Sequence, residues 1–447
     1  MNLSLIGILV GLILLMFLAF RGHSIIWVAP VAAMVVALMS GYNLFDAYLT
    51  DYMTGAGNYV ITWFPAFFLG AVYGKIMDAT GAARSLANKV ISFLGQEWAL
   101  ASVVLPCLLM TYGGISLFVV VFVVYPMGYA IYREANIPRT LLPGAIAFGA
   151  FGISMTALPG TPQIQNLIPT KFFGTTAAAA PLFSIVAALL MAVPGYIYLS
   201  RRIKKVKASG EGFVEDPKFV QEEFDESKIP SWHWLSGLIP ILVVIFMLNI
   251  FPKILKSSFG IAWEGNQPIV VALISGILIC TLMNANQLKT VMKAINDGAN
   301  GSILAIMNTA CAVGFGSVVK VVPGFATLTD AILKLPGSPL FSLALAVNLL
   351  AGATGSASGG LSISLEALAP KYIELAAANN IPVAAMHRIA SISCGGLDTL
   401  PQNGEVLTLL AVSNCTHKES YKDIAVTTAI IPVVVSLVLG LLGDVIF

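Results

Sequence analysis

Charge is what this sequence has least of: 24 basic and 22 acidic residues amount to 10% of 447, against 57% hydrophobic. A water-facing globule of this length needs a far more charged surface, so a soluble fold is excluded and the chain is placed in a lipid bilayer. The five cysteines, Cys107, Cys280, Cys311, Cys394 and Cys415, are odd in number, lack metal-ligand spacing and mostly sit in apolar runs. They read as reduced packing residues, and neither a metal site nor a cofactor is expected. No His-Glu-x-x-His, Gly-x-Ser-x-Gly or paired-cysteine motif occurs, which leaves a membrane-embedded enzyme without a nucleophile, base or metal cluster. A net charge of +2 gives no basic patch, so nucleic acid is not an expected partner. The first apolar run, ending before Arg21, has no Lys or Arg ahead of it and no small-residue cleavage pattern. It is read as a retained span rather than a signal peptide.

What the chain does have is a duplicated pattern of Gly and Pro. Gly22, Gly55 and Gly81 recur as Gly265, Gly298 and Gly324 at an offset of 243. Gly113-Gly114 recurs as Gly359-Gly360, Asn136-Ile137-Pro138 as Asn380-Ile381-Pro382, and Leu158-Pro159 as Leu400-Pro401, the offset drifting between 242 and 246. Apolar runs of about 20 residues, the length that spans a bilayer, fall near 3–20, 24–41, 57–78, 139–168, 179–200, 233–252, 267–285, 299–320, 382–412 and 424–446. That makes ten spans, five in repeat 1 (1–200) and five in repeat 2 (232–447), joined by a hydrophilic, solvated linker at 201–231 on the cytoplasmic side. The stretches 98–131 and 338–376 are interrupted midway by Thr111-Tyr112-Gly113-Gly114 and by the small and polar residues from Thr354 to Gly360. They read as re-entrant hairpins, whose backbone is tolerated at depth only when buried in protein or lining a wet cavity. The alternative is two short spans for each, fourteen in all.

With the N-terminus outside and both hairpins returning to their own side, seventeen of the 24 lysines and arginines fall on the inner side. An odd number of spans per repeat inserts the second copy upside down. The expected fold is therefore an all-α polytopic membrane protein of two inverted-topology repeats, each with one re-entrant hairpin and one broken helix, with both termini outside. Repeats of this kind, broken by Gly and Pro at matching places, point to a secondary transporter.

The chemistry is expected at the breaks. Pro159 and Pro162 interrupt 139–168, and Pro401 interrupts 382–412; each removes a backbone donor and unwinds the helix, freeing polar groups at depth. Freed N–H groups and the N-terminal ends of the following half-helices suit an anion. Candidate substrate residues are Tyr112, Gly113, Gly114 and Ser116 at the first tip, and Thr156, Gly160, Thr161, Gln163 and Asn166 at the first break. Thr354, Ser356, Ser358, Gly359 and Gly360 at the second tip, and Thr399, Gln402 and Asn403 at the second break, complete the set. Arg388 suits a carboxylate through its forked donors, or pairs internally with an acid. Asp398, Glu405 and Glu366 are intramembrane carboxylates and candidate proton carriers.

In these features the chain resembles the gluconate permease (GntP) family of proton-coupled organic-acid symporters. The likeness covers nearly the whole length, through the Asn136-Ile137-Pro138 helix start, the break from Leu158 to Pro162, the Gly355-Ser356-Ala357 tip and the second break through Asn403. Gluconate-type members are similar in layout but carry His-containing, Pro-rich breaks, which differ from Thr156 to Pro162 and from Asp398 to Asn403 here. The variant looks closer to a branch associated with short hydroxy acids such as 3-hydroxybutyrate. The resemblance further implies a wider ion-transporter superfamily, a homodimer, an elevator mechanism and the bacterial cytoplasmic (inner) membrane. The expected function is symport of a small organic anion with H⁺. A Na⁺-coupled di- or tricarboxylate symporter and an anion channel are the alternatives, a channel being expected to show pore-lining rings rather than an internal duplication.

Overall fold

The computed structural model describes residues 3–21, 23–115, 117–216, 230–263, 266–327, 338–401 and 403–443, and these form helices and loops with no strand among them. The first half contains α1 (Leu3–Phe20), α2 (Ile25–Met39), α3 (Asp46–Ala79), α4 (Ala82–Leu94), α5 (Ala99–Tyr112), α6 (Leu117–Glu134), α7 (Leu142–Gly149), α8 (Ile164–Phe173) and α9 (Pro181–Ala208). The second contains α10 (Leu235–Asn249), α11 (Phe251–Phe259), α12 (Gln267–Met283), α13 (Leu288–Val321), α14 (Pro339–Thr354), α15 (Ala357–Ala378), α16 (Val383–Cys394), α17 (Gly404–Val412) and α18 (His417–Leu441). Apart from α4 and α11, the same succession occurs twice: two shorter helices, one long helix, a helical hairpin, a helix broken in two, and a closing helix.

Four helices, α3, α9, Ala285–Val321 and α18, are each long and apolar enough to cross a membrane, and α10 with α11, bent by 44°, makes a fifth. Large apolar side chains stand exposed along them, Ile61 on α3, Leu182 on α9 and Leu304 on α13 among them, as a lipid-facing surface requires. The long helices α3 and α13 pack on each other most extensively of all pairs. Duplicated glycines permit the approach: a Cβ on Gly55 would lie 2.0 Å from Ser317 Oγ, and one on Gly298 2.7 Å from Val72 Cα.

The spans 139–168 and 382–412, expected to be broken, are each two helices. The first stops after a π-helical turn, Ala150–Ser154, and resumes at Ile164; the second stops at Cys394 and resumes at Gly404. Between them lie the prolines that cannot continue a hydrogen-bonded turn. The first hairpin turns where Gly114 adopts φ +94°, and the second where Gly355 adopts φ +60°, conformations that favour glycine. Ser356 then caps α15, its Oγ accepting from Gly359 N–H at 3.2 Å. The Gly359-Gly360 pair thus lies in the first turn of α15, one turn beyond the position that Gly113-Gly114 holds in its own hairpin.

Gly360 is where the arms of the second hairpin touch, since a Cβ there would sit 2.2 Å from the backbone of Ala351. Gly360→Ala is expected to cost about 1–3 kcal/mol by overpacking and to lower the thermal unfolding midpoint of the purified protein. Gly359→Ala, which meets only Ser356 and Ala312 side-chain atoms at 3.3 Å or more, is expected to leave it nearly unchanged.

The 201–231 segment differs from the expected solvated linker. Its first residues extend α9 to Ala208, and 211–216 folds onto the end of α6. Asn136 Oδ1 accepts from Phe213 N–H, Tyr129 OH accepts from Asp216 N–H, and the Asp216 carboxylate lies 3.8 Å from Arg139. Local backbone and ion-pair partners at the end of α6 hold what composition alone marks as hydrophilic; residues 217–229 lie outside the described part.

Candidate functional site

Each break is met by the hairpin tip of its own half. Tyr112, the last residue of α5, donates its hydroxyl to Pro159 O at 2.9 Å, and Gln163, ahead of α8, donates Nε2 to Thr111 O at 2.7 Å. Gly114 lies against Pro162, where a Cβ would approach to 2.8 Å. In the second half Asn403 plays both parts, donating Nδ2 to Gly355 O at 3.2 Å while its Oδ1 accepts the Glu405 and Val406 N–H groups at 2.8 and 3.0 Å. The N-terminal residue of each resumed helix therefore holds a hairpin tip in place.

The halves join through Arg388. Fully buried on α16, it donates Nη1 to Asn166 Oδ1 at 2.8 Å, and Nη2 and Nε to the carbonyls of Ala177 and Ala179 at 3.1 to 3.3 Å. Asn166 in turn donates to Thr161 O and Ala177 O, both at 2.8 Å, and Gly160 N–H donates to Ala177 O. Arg388 has no acidic partner among the described residues. Of its two expected roles, the geometry here gives neither a free fork nor an Arg–carboxylate pair; carbonyls and one amide occupy the guanidinium. Ser391 Oγ donates to Gln165 O at 3.2 Å, and Gly395 sits against Thr156, so the two breaks are in contact.

Asp398 lies in a single 3₁₀ turn, Leu397–Thr399, inside the second break. It is 1% exposed, and its Oδ1 has no hydrogen-bond partner. Half-buried Glu405 is its electrostatic neighbour. Thr399 is pinned on three sides, to Gly396 O through its own hydroxyl, by Thr428 Oγ1, and by the Tyr421 hydroxyl on its carbonyl. Other partnerless buried atoms gather here: Thr111 Oγ1, Thr156 Oγ1, Gln165 Oε1, His387 Nε2 and Ser393 Oγ. Native interiors rarely leave such groups unpaired, and they occur away from the breaks as well, at Tyr73 and Tyr132 among others.

The remaining candidates stand apart. Thr354 Oγ1 donates to carbonyls of its own turn, and Ser358 Oγ lies 3.3 Å from Thr309 Oγ1 on α13, away from the breaks. Glu366 pairs with Lys320 at 3.5 Å and is 39% exposed. Ser116 and Gln402 lie outside the described residues. Sequence reasoning missed Tyr421 and Thr428, which hold Thr399 and carry no local signal of it. A cavity of about 590 Å³ lined by Asp78, Arg84 and His233 contains none of the break residues.

The family model of GntP family permeases matches residues 1–443. An uncharacterized transporter of Bacillus subtilis is 39% identical over 96% of both chains. The high-affinity gluconate transporter of Escherichia coli is 22% identical, covering 70% of this chain and 68% of that one, and the L-idonate transporter of the same organism 25%, covering 71% and 72%. Among solved structures, the YdaH transporter of Alcanivorax borkumensis aligns with a TM-score of 0.58 at 14% identity, over 90% of this chain and 88% of that one. MtrF of Neisseria gonorrhoeae, described as an antimetabolite efflux pump, aligns with 0.56 at 12%, over 99% and 95%.

Proposed function

We propose for this chain, which belongs to the GntP family of permeases and is a transporter rather than an enzyme, proton-coupled symport of a small organic carboxylate into the cell. The observation that carries the proposal is a buried carboxylate, Asp398, and a buried guanidinium, Arg388, at joined helix breaks, neither with an oppositely charged side chain bonded to it among the described residues. With Asp398 ionised, its charge beside Glu405 opposes an anion at the breaks. With Asp398 protonated the Arg388 charge remains, and an anion restores the balance. Proton and carboxylate thus favour each other's binding. Inward movement of an anion against an interior-negative potential costs about 2.3 kcal/mol per 100 mV, which a co-transported cation offsets.

Protons suit the site better than Na⁺. Three break carbonyls that could ligate a hard cation each already accept a hydrogen bond: Pro159 O from Tyr112, Thr399 O from Tyr421, and Pro401 O from the His417 ring at 2.9 Å. The relatives' named cargoes, gluconate and idonate, favour a hydroxy acid, gluconate itself or a shorter one such as 3-hydroxybutyrate. We place the protein in the bacterial inner membrane with both termini outside, as a homodimer of inverted repeats, 1–200 and 232–447, working by an elevator motion.

Reconstituted into liposomes, the protein is expected to accumulate labelled hydroxy acids saturably under an imposed pH gradient. A Na⁺ gradient alone is expected to drive none. Accumulation that follows Na⁺ and ignores pH would overturn the coupling, and current of channel scale without saturation would overturn symport.

A further inference from the structure

One face of α15 carries a polar row that the breaks do not use. Ser358, Ser362 and Glu366 recur at four-residue spacing and so share that face. Opposite them on α13 stand Thr309, 3.3 Å from Ser358, and Lys320, 3.5 Å from Glu366. Apolar packing between these polar contacts is close: a Cβ on Gly316 would meet Ile363 at 3.0 Å. The row runs from the second hairpin tip toward the end of α15 and forms a polar seam against the long paired helices.

Midway along the seam lies a cavity of about 40 Å³, walled by Tyr59 and Trp63 of α3, Ser362 and Glu366 of α15, and Lys171 and Phe172 of α8. Two hydroxyls lining it, Tyr59 OH and Ser362 Oγ, face each other and Thr309 without a well-formed hydrogen bond, although the residues are only 5% and 2% exposed. Lys171 lines it as well, its ammonium 3.4 Å from Thr62 Oγ1 and over the Phe172 ring at 5.9 Å. Lys171 and Lys320 together outweigh Glu366 by one positive charge. Donors, a cation and an aromatic wall around this space are chemistry that suits a carboxylate.

We propose that the cleft between α3, α13, α8 and α15 is a second binding station for the transported hydroxycarboxylate, with Lys171 binding its carboxylate and the Tyr59 and Ser362 hydroxyls its remaining oxygens. The station rests on the symport reading given above. A water molecule's share of liquid is about 30 Å³, so the cavity in this state admits one carboxyl group and no more. Loading a whole acid requires α8 and α15 to draw away from α3 and α13. The cleft lies between helices of the two joined breaks and hairpins on one side and the long helix pair on the other, so a shift of one against the other opens it.

Liposome uptake of labelled gluconate and 3-hydroxybutyrate tests the station through Tyr59→Phe, Ser362→Ala and Lys171→Gln. Each is expected to raise KM about tenfold, the loss of one hydrogen bond to a charged ligand, with kcat nearly unchanged and Lys171→Arg largely restoring affinity. Ser362→Cys supplies a readout independent of turnover, because all five native cysteines are buried. Its labelling by a membrane-impermeant methanethiosulfonate is expected, and substrate is expected to protect it with half-effect near KM. Unchanged KM in all three variants, labelling that substrate does not affect, or no labelling at all would each overturn the station. Should wild-type liposomes take up neither acid nor any other carboxylate, the symport reading itself falls, a result distinct from indifferent variants in an active carrier.

Discussion

Asp398→Asn is expected to reduce pH-gradient-driven accumulation at least a hundredfold while sparing exchange of internal for external substrate. Asparagine is nearly the shape of the protonated acid, so the substituted site stays in its anion-binding form and can shuttle loaded carriers in both directions. It cannot release a proton, and the unloaded return that net uptake needs is stranded. The magnitude follows from burial: a 1% exposed carboxylate with a partnerless oxygen leaves water no alternative route to the same protonation change. Separate measurements of gradient-driven uptake and counterflow in one liposome preparation check it. Loss of both activities together would mark Asp398 as a substrate ligand or a structural residue, and retention of both would remove it from coupling.

The second large effect is expected at Arg388. Arg388→Ala leaves the Oδ1 of Asn166 without a partner and Ala179 O with only Ser184 Oγ at 3.4 Å, while Ala177 O keeps the Gly160 N–H and Asn166 Nδ2 donors. At about 1–3 kcal/mol for a buried acceptor left unpaired, together with the cavity left by so large a side chain, the loss is about 3 kcal/mol. That is a large part of what holds a protein folded. The purified variant is expected to aggregate or to unfold well below the wild type, as read by size-exclusion chromatography and thermal melting. Arg388→Lys keeps the charge but loses the planar fork and is expected to fold with lowered stability and to retain less than about a tenth of uptake. A lysine variant of full stability with only a raised KM would instead make Arg388 a direct substrate ligand.

Local chemistry made part of this layout legible in advance. Pro159 and Pro401 fall in the gaps between the half-helices, because a missing N–H and a ring clash keep a helix from forming within a turn of the residue itself. Gly114 and Gly355 fall where chains reverse, because positive φ is a property of single residues. Partners supplied from elsewhere in the fold left no such trace. Nothing around Ala177 or Ala179 in the sequence signals carbonyls that a guanidinium more than 200 residues away will occupy. The glycine pair at 359–360 matches Gly113-Gly114 by composition yet lies past the turn, with Gly360 alone packing the hairpin's arms together. Tyr59 and Ser362 became visible as partners only once helix rotation put them on one cavity, and the docking of 211–216 depends on Tyr129 and Asn136 of another element.

The most direct test of proton–anion linkage needs no membrane. Purified protein in weakly buffered detergent solution, mixed with a saturating hydroxy acid and followed with a pH indicator, is predicted to take up about one proton per carboxylate bound, and Asp398→Asn to bind the same acid with no proton uptake. Binding by the wild type without proton uptake, or equal uptake in the asparagine variant, would contradict Asp398 as the coupling group.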